Sequence, residues 1–170
     1  DHALKRRRDG DLSIATLFID LDDFKAVNDT FGHLVGDELL RSIGGRLVDA
    51  LRAGDTAARL GGDEFAILIE DVEDDAAAAL VASRLLEVVR APFLLDGKDV
   101  FIECSIGIAL ASDGEAAGIT VEDLLGNADI AMYKAKGNGK GVYAFFESEM
   151  RSTVVAPSAG LSSFLPVTML

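Results

Sequence analysis

Residues Ser13–Ile19 read Ser-Ile-Ala-Thr-Leu-Phe-Ile, a nearly continuous apolar run that stops abruptly at Asp20-Leu21-Asp22-Asp23. The run is too short for a membrane span and shows no alternation of polar and apolar positions. It therefore reads as a central strand buried on both faces. Such a strand needs packing layers above and below it. It also delivers carboxylates to the point where the chain leaves the core.

The rest of the chain supplies those layers. A short helical stretch follows the acidic turn, then Gly32 and Gly36. From Val35 the residues Leu39, Leu40, Ile43, Leu47 and Leu51 keep helical spacing. Thr56–Leu60 and Phe65–Ile69 read as strands joined by the hairpin sequence Gly61-Gly62-Asp63-Glu64. The spacing predicts a helix over Asp74–Arg90 with Ala77, Leu80, Val81, Leu85 and Val88 inward. Phe93–Leu95 and Asp99–Leu110 read as a hairpin about Asp96-Gly97-Lys98. Thr120–Lys136 reads as a helix with Val121, Leu124, Leu125, Ala128 and Met132 on one face, and Val142–Phe146 as a last short strand. Strands arranged in hairpins between helices predict an α+β domain, with a mostly antiparallel central sheet flanked by helices.

Composition narrows the class. A chain of 170 residues, 49% hydrophobic, fits one domain with a proper core. The net charge of −13 argues against broad attraction to nucleic acid or anionic lipid. A polyanionic ligand would have to be held through metal ions or a few local Lys and Arg. Cys104, the single cysteine, lies in an apolar run, reads as a buried inert thiol and suits a cytoplasmic protein. No stretch is long and apolar enough to span a bilayer. The chain starts at Asp1, and the segment with His2, Lys5, Arg6, Arg7 and Arg8 reads as the end of a helix cut from something longer. After Arg151 no charged residue occurs, so residues 151–170 read as an uncharged tail or linker remnant.

The chemistry gathers at two acidic loops. Asp20, Asp22 and Asp23 stand at the end of the buried strand; Asp63 and Glu64 stand at the tip of the two-glycine hairpin. Each cluster alone reads as a solvated turn. If the strands are neighbours, both clusters reach one sheet edge, where carboxylates repel and a hard cation such as Mg²⁺ relieves the repulsion. Paired glycines permit close approach of a ligand to the backbone.

Arg59-Leu60-Gly61-Gly62-Asp63-Glu64-Phe65 contains, letter for letter, the signature of the GGDEF family of diguanylate cyclases. Three further segments resemble that family in order and spacing: Phe18–Lys25, Asn28–Asp37 and Asp129–Lys136. The resemblance covers roughly Leu12 to Met150, so residues 1–150 read as a GGDEF catalytic domain. A family segment carrying an Asp and an Asn-Arg pair would lie before residue 1, and relatives often continue past Met150 into an EAL phosphodiesterase domain. The resemblance implies a fold like that of nucleotidyl cyclases and polymerase palms. It implies condensation of two GTP into cyclic di-GMP and two pyrophosphates across a homodimer. It implies Mg²⁺ or Mn²⁺ held by Asp20, Asp63, Glu64 and the Leu21 carbonyl, with Asp63 and Glu64 as catalytic residues; Glu64 serves either as a ligand or as an aid to deprotonation. Asp23, Phe24 and Lys25 would cradle phosphate, Asn28 and Asp37 would read guanine, and His33 would shape that loop. Gly61 and Gly62 would let substrate approach. Lys136 and Lys140 would meet phosphate, the latter where relatives often carry arginine. Arg52 and Asp55, in Arg52-Ala53-Gly54-Asp55, with Arg84, match a site where cyclic di-GMP inhibits. The bland reading of that motif is a helix end with a salt bridge. Two rivals stand beside the enzyme: a non-catalytic receptor domain for GTP or cyclic di-GMP, and an interaction module with metal-stabilised acidic loops.

Overall fold

The computed structural model describes residues 13–111, 119–153 and 168–169. The basic N-terminal segment and most of the tail lie outside these residues. In chain order the elements are β1 (Ser13–Asp22), α1 (Phe24–Phe31), α2 (His33–Asp49), β2 (Thr56–Gly61), β3 (Glu64–Val72), α3 (Asp75–Arg90), β4 (Phe93–Leu95), β5 (Lys98–Val100), β6 (Glu103–Ala111), α4 (Val121–Gly137), β7 (Tyr143–Phe145), α5 (Met150–Thr153) and β8 (Thr168–Met169). The main sheet runs β7-β6-β1-β3-β2-β8, and β4-β5 form a separate hairpin. All neighbours in the main sheet are antiparallel except β6 and β7. The fold is the α+β class that the hairpins predict.

The apolar run becomes the inner strand β1, paired with β3 on one side and β6 on the other. Its alternate residues feed two cores. Leu17, Ile19 and Leu21 join Ile67, Ile69, Ile106 and Ile108 in the larger core, which also takes in residues of α1, α2 and α3. Phe18 joins Ala109, Ala111 and Leu124, Ala128 and Met132 of α4 in the smaller one. Burial on both faces is why β1 shows no polar alternation.

Three elements differ from expectation. Leu85 is buried as expected and Ala77 and Val81 pack partly against the core, but Leu80 is 71% exposed and α3 buries Ala78, Ala82 and Val89 beside Leu85. Small alanines let the helix seat closely on the sheet, so the true face is the one with less hydrophobic bulk. Asp99–Leu110 is not one strand. It divides into β5 and β6 at Phe101–Ile102, where the chain passes from the small hairpin to the main sheet with Phe101 exposed and Ile102 buried. The Thr120–Lys136 helix begins one residue later, with Thr120 as its N-cap in a capping box with Asp123.

α4 packs on β6 and β1, and its approach depends on Gly107. A Cβ at that position would strike the Ala128 carbonyl oxygen and the Met132 amide, both backbone groups of α4. Neither can rotate aside. Gly107→Ala should therefore push α4 off the sheet and destabilise the domain by about 1–3 kcal/mol. A denaturant midpoint equal to that of the wild type would show that α4 is not seated through this contact.

Candidate active site

The β2–β3 hairpin and the end of β1 are joined by backbone. Asp20 faces Glu64 in the β1–β3 register. The Leu21 amide donates to the Asp63 carbonyl oxygen at 3.2 Å. The two acidic loops therefore meet at one edge of the sheet. Gly61 and Gly62 both take positive φ, 155° and 52°, at the turn. Arg59 stiffens the tip from beneath, its Nε and Nη2 donating to the Gly62 carbonyl at 2.9 and 2.7 Å.

The electrostatics follow first from burial and then from crowding. Partial burial pushes the Asp20 carboxyl up from its ordinary value, with Asp63 and Asp22 adding to the rise and Lys136 opposing it. Glu64 is also raised, first by burial, then by the negative charges of Asp20, Asp129 and Asp63. Asp129, on α4, is raised by burial and eased by Lys136. Asp129 opens the Asp129–Lys136 segment that resembles the family, but the sequence does not single it out as a site residue, because only the docking of α4 brings its carboxyl to this edge.

The acidic residues after Asp20 part company. Asp22 is buried and accepts from the Ser105 hydroxyl at 2.9 Å and the Gly141 amide at 3.0 Å. It pins β6 and the loop after α4 to the end of β1. Asp23 is exposed in the left-handed region at φ 59°, and its side chain makes no cap bond to α1. It bonds Lys140 instead, at 2.8 and 2.9 Å. That hydrogen bond is the main reason the Lys140 ammonium is raised. Lys136 donates to Asp20 Oδ1 at 2.6 Å. Both lysines thus rest on carboxylates.

Around the α1–α2 junction, Asn28 is half-buried while Lys25, His33 and Asp37 are exposed. The Asn28 amide lies against Gly36, where a Cβ would collide with it and come 3.3 Å from the Phe24 ring. Gly36 is thus part of what seats Asn28. On the far side of the hairpin, Arg52 bonds Asp55 and donates to the carbonyls of Glu70 and Asp71 at 2.6 and 3.3 Å. The Asp55 side chain is 1% exposed. Arg84 instead lines a groove of about 360 Å³ with Arg46, Asp49, Ala50, Val88 and Ala91.

The family profile described as "Diguanylate cyclase, GGDEF domain" matches residues 1–141. The chain belongs to the GGDEF family. It is 45% identical to the bifunctional diguanylate cyclase/cyclic di-GMP phosphodiesterase MucR of Pseudomonas aeruginosa, over 89% of this chain and 22% of that protein. It is 38% identical to the cyclic di-GMP phosphodiesterase PdeR of Escherichia coli, over 91% of this chain and 22% of that protein. The X-ray structure of an EAL/GGDEF domain protein from M. capsulatus is 47% identical with a TM-score of 0.74, covering 86% of this chain and 92% of that one. This GGDEF domain thus spans about a fifth of the length of the curated relatives named here.

Among the described residues, no three His, Cys, Asp or Glu are grouped tightly enough to hold a metal ion alone. The donor set nevertheless fits a hard divalent cation. Asp20, Asp63 and Glu64 offer carboxylate oxygen only, and Mg²⁺ takes one or two carboxylates together with substrate phosphates and water.

A carboxylate whose pKa is raised by folding stabilises the folded state below its unfolded pKa. That contribution is lost as pH rises through the folded value. Glu64 therefore burdens the fold at neutral pH. Glu64→Gln should stabilise the domain at pH 7 by up to about 1 kcal/mol, since solvent screens a half-exposed group. The gain should vanish as pH falls below the ordinary carboxylate range, about 4. Melting curves across that range check it, and an equal gain at acid pH would mean that charge is not the cause.

Proposed function

We propose that this domain condenses two GTP molecules into cyclic di-GMP and two pyrophosphates, across a homodimer that faces two copies of the site. The observation that carries the reading is the Leu21 amide to Asp63 carbonyl bond, which sets the hairpin signature beside Asp20. The family profile described as diguanylate cyclase and the relative named a bifunctional diguanylate cyclase/cyclic di-GMP phosphodiesterase support it. Each site would hold one GTP. Each 3′-hydroxyl would attack the α-phosphate of the other nucleotide in line and expel pyrophosphate, and two such events close the ring.

The work of the chain is positioning and charge. Bound Mg²⁺ or Mn²⁺, held by Asp20, Asp63, Glu64 and the Leu21 carbonyl, would lower the pKa of the attacking hydroxyl and offset charge at phosphorus. The start of α1 is left uncapped by Asp23, so the amides around Asp23, Phe24 and Lys25 are suited to the terminal phosphates. Gly61 and Gly62 leave the backbone open to close approach. Asn28 and Asp37 suit guanine: a carboxylate accepts from its N1–H and 2-amino donors, which adenine does not present. His33 lies between them in the chain and would shape their loop. Lys136 and Lys140 are placed to turn from Asp20 and Asp23 toward phosphate.

Purified domain given GTP and Mg²⁺ should release pyrophosphate and cyclic di-GMP. Asp63→Asn should lower the rate at least 100-fold, on the order of what one displaced electrostatic group costs. GTP-induced stabilisation without turnover would favour a regulatory receptor, a reading to which the relative named only as a phosphodiesterase lends weight.

Cyclic di-GMP is further proposed to inhibit by binding at Arg52 and Asp55, with Arg84 as a second contact. Arg52 has a structural task there, so Arg52→Ala should cost about 1 kcal/mol of stability from the lost carbonyl bonds. It should also abolish product binding by calorimetry at temperatures where the variant stays folded. Unchanged affinity would remove the site.

A further inference from the structure

Lys136 stands on a carboxylate that is meant for another cation. Its ammonium lies 2.6 Å from Asp20 Oδ1, and the two side chains are only 30% and 14% exposed. The pair joins residues 116 positions apart, so tertiary structure builds it. The second lysine pair at this edge, Lys140 with Asp23, is 43% and 70% exposed, and water screens it. Attraction in the sheltered pair is stronger at equal distance because less water intervenes. An ammonium at hydrogen-bond distance also bars a divalent cation from the same oxygen, since the two cations would repel at close range.

Release needs little motion. Lys136 lies in the last turn of α4, before Gly137 and the loop through Gly139 to Gly141. Rotation about its four-carbon stem can carry the ammonium from Asp20 to a neighbouring anion while Asp22 and Arg90 keep the loop fixed through the Gly141 amide and carbonyl. A triphosphate is the anion that would draw it.

We propose that Lys136 is the resident counter-ion of Asp20 in the nucleotide-free domain, so that divalent metal loads with the triphosphate and not ahead of it. This rests on the reading of Asp20 as metal-binding and Lys136 as phosphate-binding, and adds that the lysine must vacate Asp20 before metal can hold it. Lys136 is a positioning residue in this role, and it acts on metal affinity.

The test is Mn²⁺ alone, titrated into the nucleotide-free domain and followed by the electron paramagnetic resonance of free Mn²⁺. Wild type should bind weakly. Lys136→Met, which keeps the stem and loses the charge, should bind about tenfold more tightly or better. Lys136→Arg should stay as weak as wild type. Adding Asp20→Asn to Lys136→Met should erase the gain. A gain that survives that change reports diffuse binding to an acidic surface and overturns the proposal. So does Lys136→Met without gain, or Lys136→Arg with the same gain. In the wild-type domain, the Lys136 side-chain nuclear magnetic resonance signals should hold still with Mg²⁺ alone and shift when Mg²⁺ arrives with a non-hydrolysable GTP analogue. An equal shift with Mg²⁺ alone overturns it independently of any variant. A Mn²⁺ gain in a domain that makes no cyclic di-GMP would leave the exchange standing and remove the synthesis reading instead.

Discussion

Three carboxylates at the edge of this sheet are held in one another's field by backbone, against their mutual repulsion. Asp20 faces Glu64 because β1 and β3 pair in that register, and Asp63 follows because its carbonyl accepts from the Leu21 amide. The apolar cores on both faces of β1 fix that register, since a one-residue slip would turn the buried leucines and isoleucines into the wrong layer. Core packing thereby supports the burial, and after it the crowding, that raises Asp20 and Glu64. Strain of this kind is common where stability is given up for function.

The same logic explains the residues around the carboxylates. Asp22 belongs to the acidic run by sequence but not by role: it is buried, with the Ser105 hydroxyl and Gly141 amide as partners. Arg59 holds the glycine hairpin by the Gly62 carbonyl, and Gly36 yields room for Asn28. None of the three is among the proposed metal ligands. Each restricts where a neighbouring group can be, which positioning chemistry requires.

Much of this was legible in the chain. The apolar run ending at Asp20, the two-glycine hairpin and the helical spacing of α2 and α4 are local patterns, and local patterns are what a sequence displays directly. The misreadings are tertiary. The inward face of α3 turned on how closely alanines seat a helix, which bulk alone misjudges at Leu80. The break between β5 and β6 depends on which sheet each half joins. The Lys136–Asp20 and Lys140–Asp23 pairs span more than a hundred residues, and no spacing rule reaches that far. Arg52 was readable as a motif, yet its bonds to the Glu70 and Asp71 carbonyls were not, because backbone acceptors carry no sequence signature.

The two lysine pairs differ in what it takes to open them. Asp23 is exposed, and a solvated ammonium or a phosphate can replace one another there at small net cost. Lys140 also sits in the left-handed region at φ 63°, between two glycines of positive φ, so the loop presents its charge on a fixed bend of backbone and not on packing. Asp20 is sheltered, and stripping its counter-ion without a substitute would leave a poorly hydrated carboxylate beside Glu64 and Asp63. The outer pair can therefore yield to any polyanion, while the inner pair yields only where a new cation arrives as the old one leaves. Under the proposed exchange, an edge built this way would distinguish a nucleotide that brings its own metal from phosphate or metal arriving separately.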